Sequence, residues 1–200
     1  MKLYYSKGAC SLAVRIVIHE IDIPCYFESV QLKTKKTETG SDYFEVNPKG
    51  AVPALVLNDG AVLTENAVIQ QYLADTHKAN ELLPPVGEIK RYHVLEWLNF
   101  VSTELHKGCS PFFNASIPEE IKDKVLLPAL KNKLQFVDDH LKQSKYLTGE
   151  TFTLADGYCF VILTWLPGLR INLIDYANIN RYFNELKHRP SIIKALAEES

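Results

Sequence analysis

A thiol placed just ahead of a helix is the first feature of this chain that could do chemistry. Cys10 follows Gly8-Ala9, where a strand-like run, Lys2-Leu3-Tyr4-Tyr5, gives way to a helix-like pattern beginning at Ser11. Free backbone N–H groups and the helix dipole favour an anion there, and such termini together with nearby cations bring a thiol from about 8.5 down to roughly 3.5–7.5. A second feature is "VNPKGAVPAL", in which Val52-Pro53 enters a strand after a tight turn at Gly50, which makes Pro53 a candidate for a cis peptide. Thr64-Glu65-Asn66 opens another helix, whose amides suit a carboxylate while Glu65 suits an ammonium group. Asn99, Thr103 and His106 lie at i, i+4, i+7 beside the apolar stripe of Val94, Leu98, Val101 and Leu105, as polar groups bordering a cleft do. Taken singly, each has a plain structural counterpart: a buried cysteine, a strand-start proline, an acidic first turn, a satisfied histidine.

The elements that must position these groups come in two kinds. Leu3 to Tyr5 and Tyr26 to Leu32 read as strands flanking a helix from Ser11 to Ile21, with Leu12, Ile16, Val17 and Ile21 apolar. Lys33 to Ser41 reads as a solvated loop running into a short irregular helix. Pro53 to Leu57 and Ala61 to Leu63 flank Asn58-Asp59-Gly60, a hairpin signal, and a helix follows, on which Ala67, Val68, Gln71, Tyr72 and Asp75 keep the spacing. This first half reads β-α-β-(α)-β-β-α. "HKANELLPPVGE" then interrupts with Pro84-Pro85 and Gly87. Beyond it the pattern is helical throughout, with Leu126, Leu130, Leu134, Val137 and Leu141 forming a second apolar stripe. Thr153-Leu-Ala-Asp156 ahead of an apolar run has the form of a capping box. The expected organisation is therefore a domain over 1–78, a linker over 79–87 and an all-helical domain over 88–200.

Composition narrows the function. With 200 residues, 46% of them hydrophobic, the chain can bury a sizeable core, and a net charge of −2 gives no basic footprint for nucleic acid or an anionic membrane surface. No apolar run approaches the ~20 residues that span a bilayer, and Lys7 and Arg15 interrupt any secretory segment. Cys10, Cys25, Cys109 and Cys159 are widely spaced, which points to reduced thiols in a cytoplasmic setting and to no metal site.

Together, "YYSKGACSLA", "NPKGAVPALVLNDGAVLTENAVIQQYLAD", "EWLNFVSTELHKG", "TGETFTLADGYCF" and "RPSIIKALAEE" resemble the bacterial beta-class glutathione S-transferases over nearly the full chain. The resemblance implies a thioredoxin-like α/β amino-terminal domain that binds glutathione, an all-α domain that shapes the electrophile site, and a homodimer. It implies conjugation of glutathione, as co-substrate and without a metal, to a small hydrophobic electrophile, beside mixed-disulfide exchange at Cys10. An isomerase or dehalogenase on the same fold, or a binding protein without turnover, are the alternatives. Residue by residue, it makes Cys10 the thiol beside the glutathione sulfur and Val52 the backbone partner of the cysteinyl residue. Glu65 and Asn66 then hold the γ-glutamyl end and Lys35 pairs with a carboxylate, while Asn99, Thr103, His106 and Lys107 come from the helical domain. Pro53, Thr153 and Asp156 are structural, as are Cys25, Cys109 and Cys159. The chain departs from the family pattern at Lys7, at Val14-Arg15 and at Asn66, which still offers a backbone N–H.

Overall fold

A computed structural model describes residues 1–199, which fall into two units: Met1–Asn80 together with 189–199, and Glu81–His188. In the first, strands β1 (Lys2–Tyr5), β2 (Tyr26–Gln31), β3 (Lys36–Thr37), β4 (Ala54–Val56) and β5 (Val62–Thr64) form one sheet in the order β3-β2-β1-β4-β5. β1 and β2 run parallel, with Leu3 opposite Phe27, and the other pairs are antiparallel. A parallel pair needs a crossover, and α1 (Leu12–Glu20) supplies it. Asp22 ends the crossover in the left-handed region, a conformation Asp tolerates, ahead of Pro24. β4 and β5 close as the hairpin read from Asn58-Asp59-Gly60, with the Leu57 N–H donating to the Ala61 carbonyl at 2.8 Å.

Helix α2 (Asn66–Thr76) forms where expected but buries a different side: Asn66, Ile69, Gln70, Leu73 and Ala74 face inward, while Val68 and Asp75 are exposed. Apolar residues occur on both sides of this helix, and packing against α1 and β5 buries the stripe carrying Ile69 and Leu73. The segment read as loop over Lys33 to Ser41 contains β3, a two-residue strand pairing with Val30 and Gln31. Its short helix is the 3₁₀ turn Tyr43–Glu45, capped by Asp42, whose side chain accepts from the Phe44 N–H.

In the second unit, α3 (Ile89–Phe100) continues into a π-helical turn over Val101–His106, a last α turn over Lys107–Cys109 and a 3₁₀ turn over Ser110–Phe113. α4 (Leu127–Leu141), α5 (Leu154–Trp165) and α6 (Ala177–Leu186) complete it. The two apolar stripes are core, with Val94, Leu98, Val101, Leu105, Leu130, Leu134, Val137 and Leu141 all buried, save that Leu126 at the start of the second is only half-buried. α5 is buried along most of its length, and its start is fixed by the motif read from sequence: the backbone N–H and hydroxyl of Thr153 donate to Asp156 Oδ2 at 2.8 and 2.9 Å. Asp156 Oδ1 also accepts from the Leu147 N–H and the Tyr182 hydroxyl, both at 2.8 Å. α6 has no cap of its own. Asp138 of α4 supplies one, accepting from the Asn178 and Ile179 amides at 2.8 Å.

Helix α7 (Pro190–Ala197) packs on α1 and belongs to the first unit, so the carboxy end parts from the helical segment to which the 88–200 boundary assigns it. Arg189 forks onto Glu20 at 2.5 and 2.7 Å, and Ser191 donates to the same carboxylate. Arg15 is only 2% exposed. Its guanidinium lies 4.2 Å from the Tyr5 ring centroid and 4.0 Å from that of Phe27, with Nη1 donating to Glu198 at 3.1 Å and Nε 3.6 Å from Glu199. Glu199 in turn accepts from the Gly8 N–H at 2.9 Å, and so reaches the loop that carries the cysteine.

Candidate functional site

Cys10 sits two residues before α1, as the sequence suggests, and is 8% exposed. The turn is folded tightly: the Leu12, Ala13 and Val14 amides donate back to Ala9, Cys10 and Ser11, and the Ser11 side chain is tied to the backbone of Ser6. These amides of the helix terminus are therefore occupied. The thiol donates to the Val52 carbonyl at 3.5 Å. The Asn66 side chain donates to the Cys10 carbonyl at 2.6 Å and accepts from Gln70 at 2.5 Å, both bonds buried. Asn66 thus ties the start of α2 to the cysteine turn, a role its sequence position does not announce. Lys7 is exposed to solvent.

The Val52–Pro53 peptide is cis, as the sequence suggests. The turn before it is held from several sides: Tyr43 Oη and Asn47 Nδ2 donate to the Ala51 carbonyl at 2.8 and 2.7 Å, and Lys35 Nζ donates to the Gly50 carbonyl at 2.6 Å. Burial pushes the Tyr43 phenol up to about 12, so it remains a donor. Gly50 has φ +59°, a conformation that favours glycine, and a Cβ there would come within 2.8 Å of the Phe44 ring, which would have to shift. Among the described residues the Val52 N–H has no hydrogen-bond partner, which leaves a donor beside the acceptor that the thiol now uses.

Glu65 caps α2 with φ +69°, a strained conformation for a residue with a side chain, of order 1–3 kcal/mol. Its carbonyl receives the Val68 and Ile69 amides, while the Asn66 and Ala67 amides make no hydrogen bond to described residues. An ammonium group does reach the Glu65 carboxylate: that of Lys49, which also donates to Thr64 Oγ1 at 2.8 Å. Lys49 lies inside the "NPKG" motif, and nothing in its spacing marks it out. Cys10, Val52, Glu65 and Asn66, with Lys35 bound at Gly50, thus share one unit and are linked by the contacts just described.

In the helical unit, a π turn over Val101–His106 lies within the stretch that carries Asn99, Thr103 and His106. Asn99, Thr103 and Lys107 are exposed, and the Thr103 hydroxyl donates to the Asn99 carbonyl at 3.1 Å. His106 is half-buried against α5. Its Nδ1 lies 2.5 Å from Tyr158 Oη, and the Trp165 ring meets the imidazole edge-on with centroids 5.1 Å apart. Phe113 also meets that tryptophan edge-on, with centroids 5.6 Å apart. Burial first, then the positive charge of Lys107, pushes His106 down to about 4. Cys109 and Cys159 are fully buried, and burial raises the former thiol to about 12 and the latter further. Cys25 is also raised by burial, and none of the cysteines forms a disulfide. Among the described residues no cluster of His, Cys, Asp and Glu could hold a metal ion, and no helix is long and apolar enough to cross a membrane.

A sheet that brings a cysteine turn beside a cis-proline turn, followed in the same chain by a helical unit, is the architecture of proteins that handle thiols and disulfides on a thioredoxin-like frame. Comparison with known proteins makes this specific. The family model for the glutathione S-transferase N-terminal domain matches residues 8–76, and that for the C-terminal domain matches residues 100–190. Glutathione S-transferase GstA of Escherichia coli O157:H7 is 45% identical over 199 residues, which are 100% of this chain and 98% of that protein. The beta-class enzyme of Sphingomonas chungbukensis is 38% identical with a TM-score of 0.95, over 100% of this chain and 99% of that one. A sphingomonad glutathione S-transferase solved in complex with glutathione is 37% identical with the same TM-score of 0.95, over 100% and 98%. The chain belongs to the glutathione S-transferase family, a family of transferase enzymes, and has the family's fold, with bacterial beta-class members among its structural neighbours.

Proposed function

We propose that this enzyme conjugates glutathione to hydrophobic electrophiles and, through Cys10, exchanges disulfides with glutathione. The observation that carries the second part is the Cys10 thiol on the Val52 carbonyl, beside a Val52 N–H that no described residue uses. A bound tripeptide whose cysteinyl residue pairs with both Val52 groups adds a short strand to the turn, and in doing so takes the acceptor from the thiol. Loss of that bond favours ionisation of Cys10. Its thiolate then attacks one sulfur of oxidised glutathione, forming the protein–glutathione disulfide and releasing the other half as glutathione thiolate. In conjugation the attacking sulfur is that of glutathione itself, which displaces the leaving group of the electrophile.

The γ-glutamyl end has a matching place. The Asn66 and Ala67 amides at the start of α2 suit its carboxylate, and Glu65 suits its ammonium group in exchange for Lys49. The Asn66 side chain is committed to Cys10 and Gln70, so only its backbone serves the ligand. Lys35, donating to the Gly50 carbonyl, is assigned to a glutathione carboxylate. From the helical unit the family pattern assigns Asn99, Thr103, His106 and Lys107, with His106 as a donor toward sulfur. Homodimeric assembly and a cytoplasmic location complete the reading, and both rest on family membership.

Incubation with oxidised glutathione followed by intact-mass analysis tests it. The wild-type protein gains one glutathione, at Cys10, and Cys10→Ala gains none while retaining glutathione affinity within about threefold. Conjugation of a model electrophile survives in part in that variant. Glutathione attached to Cys25, Cys109 or Cys159 with Cys10 unmodified would return Cys10 to a packing role.

A further inference from the structure

His106 is held by contacts that treat its two ring nitrogens differently. Nδ1 is 2.5 Å from the hydroxyl of Tyr158, a residue on α5 that is 1% exposed. Nε2 has no hydrogen-bond partner among the described residues, and it is not one of their buried unpaired atoms, so it stays open to solvent. The ring is also fixed in orientation, edge-on to Tyr158 at 5.8 Å and to Trp165 at 5.1 Å between centroids. A histidine kept only for packing has no need of one locked nitrogen and one open one. The imidazole stands at the end of the π turn over Val101–His106.

The direction of the Tyr158 bond follows from the acidity of the two groups. A phenol is a stronger acid than a neutral imidazole N–H, and imidazole nitrogen is the better acceptor, so the hydroxyl donates and Nδ1 accepts. A neutral imidazole carries one proton, which must then sit on Nε2. We propose that Tyr158 is a positioning residue that fixes His106 as the neutral tautomer with the proton on Nε2, so that the histidine presents a hydrogen-bond donor and not a base. This deepens the reading of His106 given above and rests on it for its catalytic consequence. A donor aimed at sulfur stabilises a thiolate without accepting its proton, which suits a group meant to keep glutathione ionised.

The test is a long-range ¹H–¹⁵N correlation spectrum of uniformly labelled protein at neutral pH, with His106→Gln used to identify the His106 signals among those of the six histidines. The expected pattern is a single tautomer protonated at Nε2. Tyr158→Phe keeps the ring and removes only the hydroxyl. In that variant the His106 pattern becomes a mixture of tautomers, kcat for conjugation falls about fivefold, the equivalent of ~1 kcal/mol, and KM for glutathione stays within twofold. A wild-type His106 protonated at Nδ1, or tautomer proportions unchanged by Tyr158→Phe, overturns the proposal, and the wild-type spectrum decides it even if the variant folds poorly. Failure of the functional reading is distinguishable, since an enzyme without glutathione turnover can still show the Nε2 tautomer.

Discussion

At the scale of single residues, the thiol is governed less by the helix behind it than by two long-range neighbours. The first amides of α1 bond back to Ala9, Cys10 and Ser11, and the thiol itself donates to the carbonyl of Val52. Asn66 sets where that thiol sits. Asn66→Ala removes a donor from the Cys10 carbonyl and leaves the Gln70 amide with no acceptor in a buried place, at a cost of about 1–3 kcal/mol. The expected outcome is a lower urea midpoint together with faster alkylation of Cys10 by iodoacetamide, followed by peptide mass mapping. An unchanged alkylation rate would limit Asn66 to stability. Cys10, Val52-Pro53 and Glu65 were legible as single motifs, because each lies within a few residues of its own structural signal. The side-chain bond of Asn66 to Cys10 was not, since its partner is 56 positions away, and Tyr158 was hidden for the same reason within an apolar run.

At the scale of elements, periodicity recovered the strands, the hairpin and the helices, and failed where an element breaks its usual period. β3 is two residues long, too short to alternate, and the π turn before Lys107 went unread because Val101 and Leu105 stay buried through it at helical spacing. The capping box was visible because both partners lie three residues apart. Its full weight was not: Asp156 also receives donors from Leu147 and Tyr182, and is buried to the point where desolvation raises its carboxyl despite them. Thr153→Ala should therefore cost about 1 kcal/mol, the usual loss of a cap. Asp156→Ala should cost at least 3 kcal/mol, because it strands several buried donors at once. Denaturant unfolding of the two variants checks the ratio, and equal losses would show that the extra bonds carry no stability.

At the scale of the whole molecule, no local pattern could show that the chain's last helix belongs to its first unit, because that pairing joins residues more than 160 positions apart, Glu20 with Arg189 among them. The anchor is Arg15, a buried cation between two rings and two carboxylates. Arg15→Ala removes the cation and leaves Glu199, itself almost wholly buried, without its counter-charge, which should destabilise the protein by about 3–5 kcal/mol. Thermal unfolding measures the loss, and a shift within that of ordinary surface variants would refute the anchor. The same arrangement bears on how the protein is made. Synthesis runs from the amino terminus, and early domains ordinarily fold as they emerge. Here the carboxylates that meet Arg15 and the Gly8 amide are translated 183 and 191 residues after them, so the thiol-bearing loop stays incomplete long after its own strand has left the ribosome.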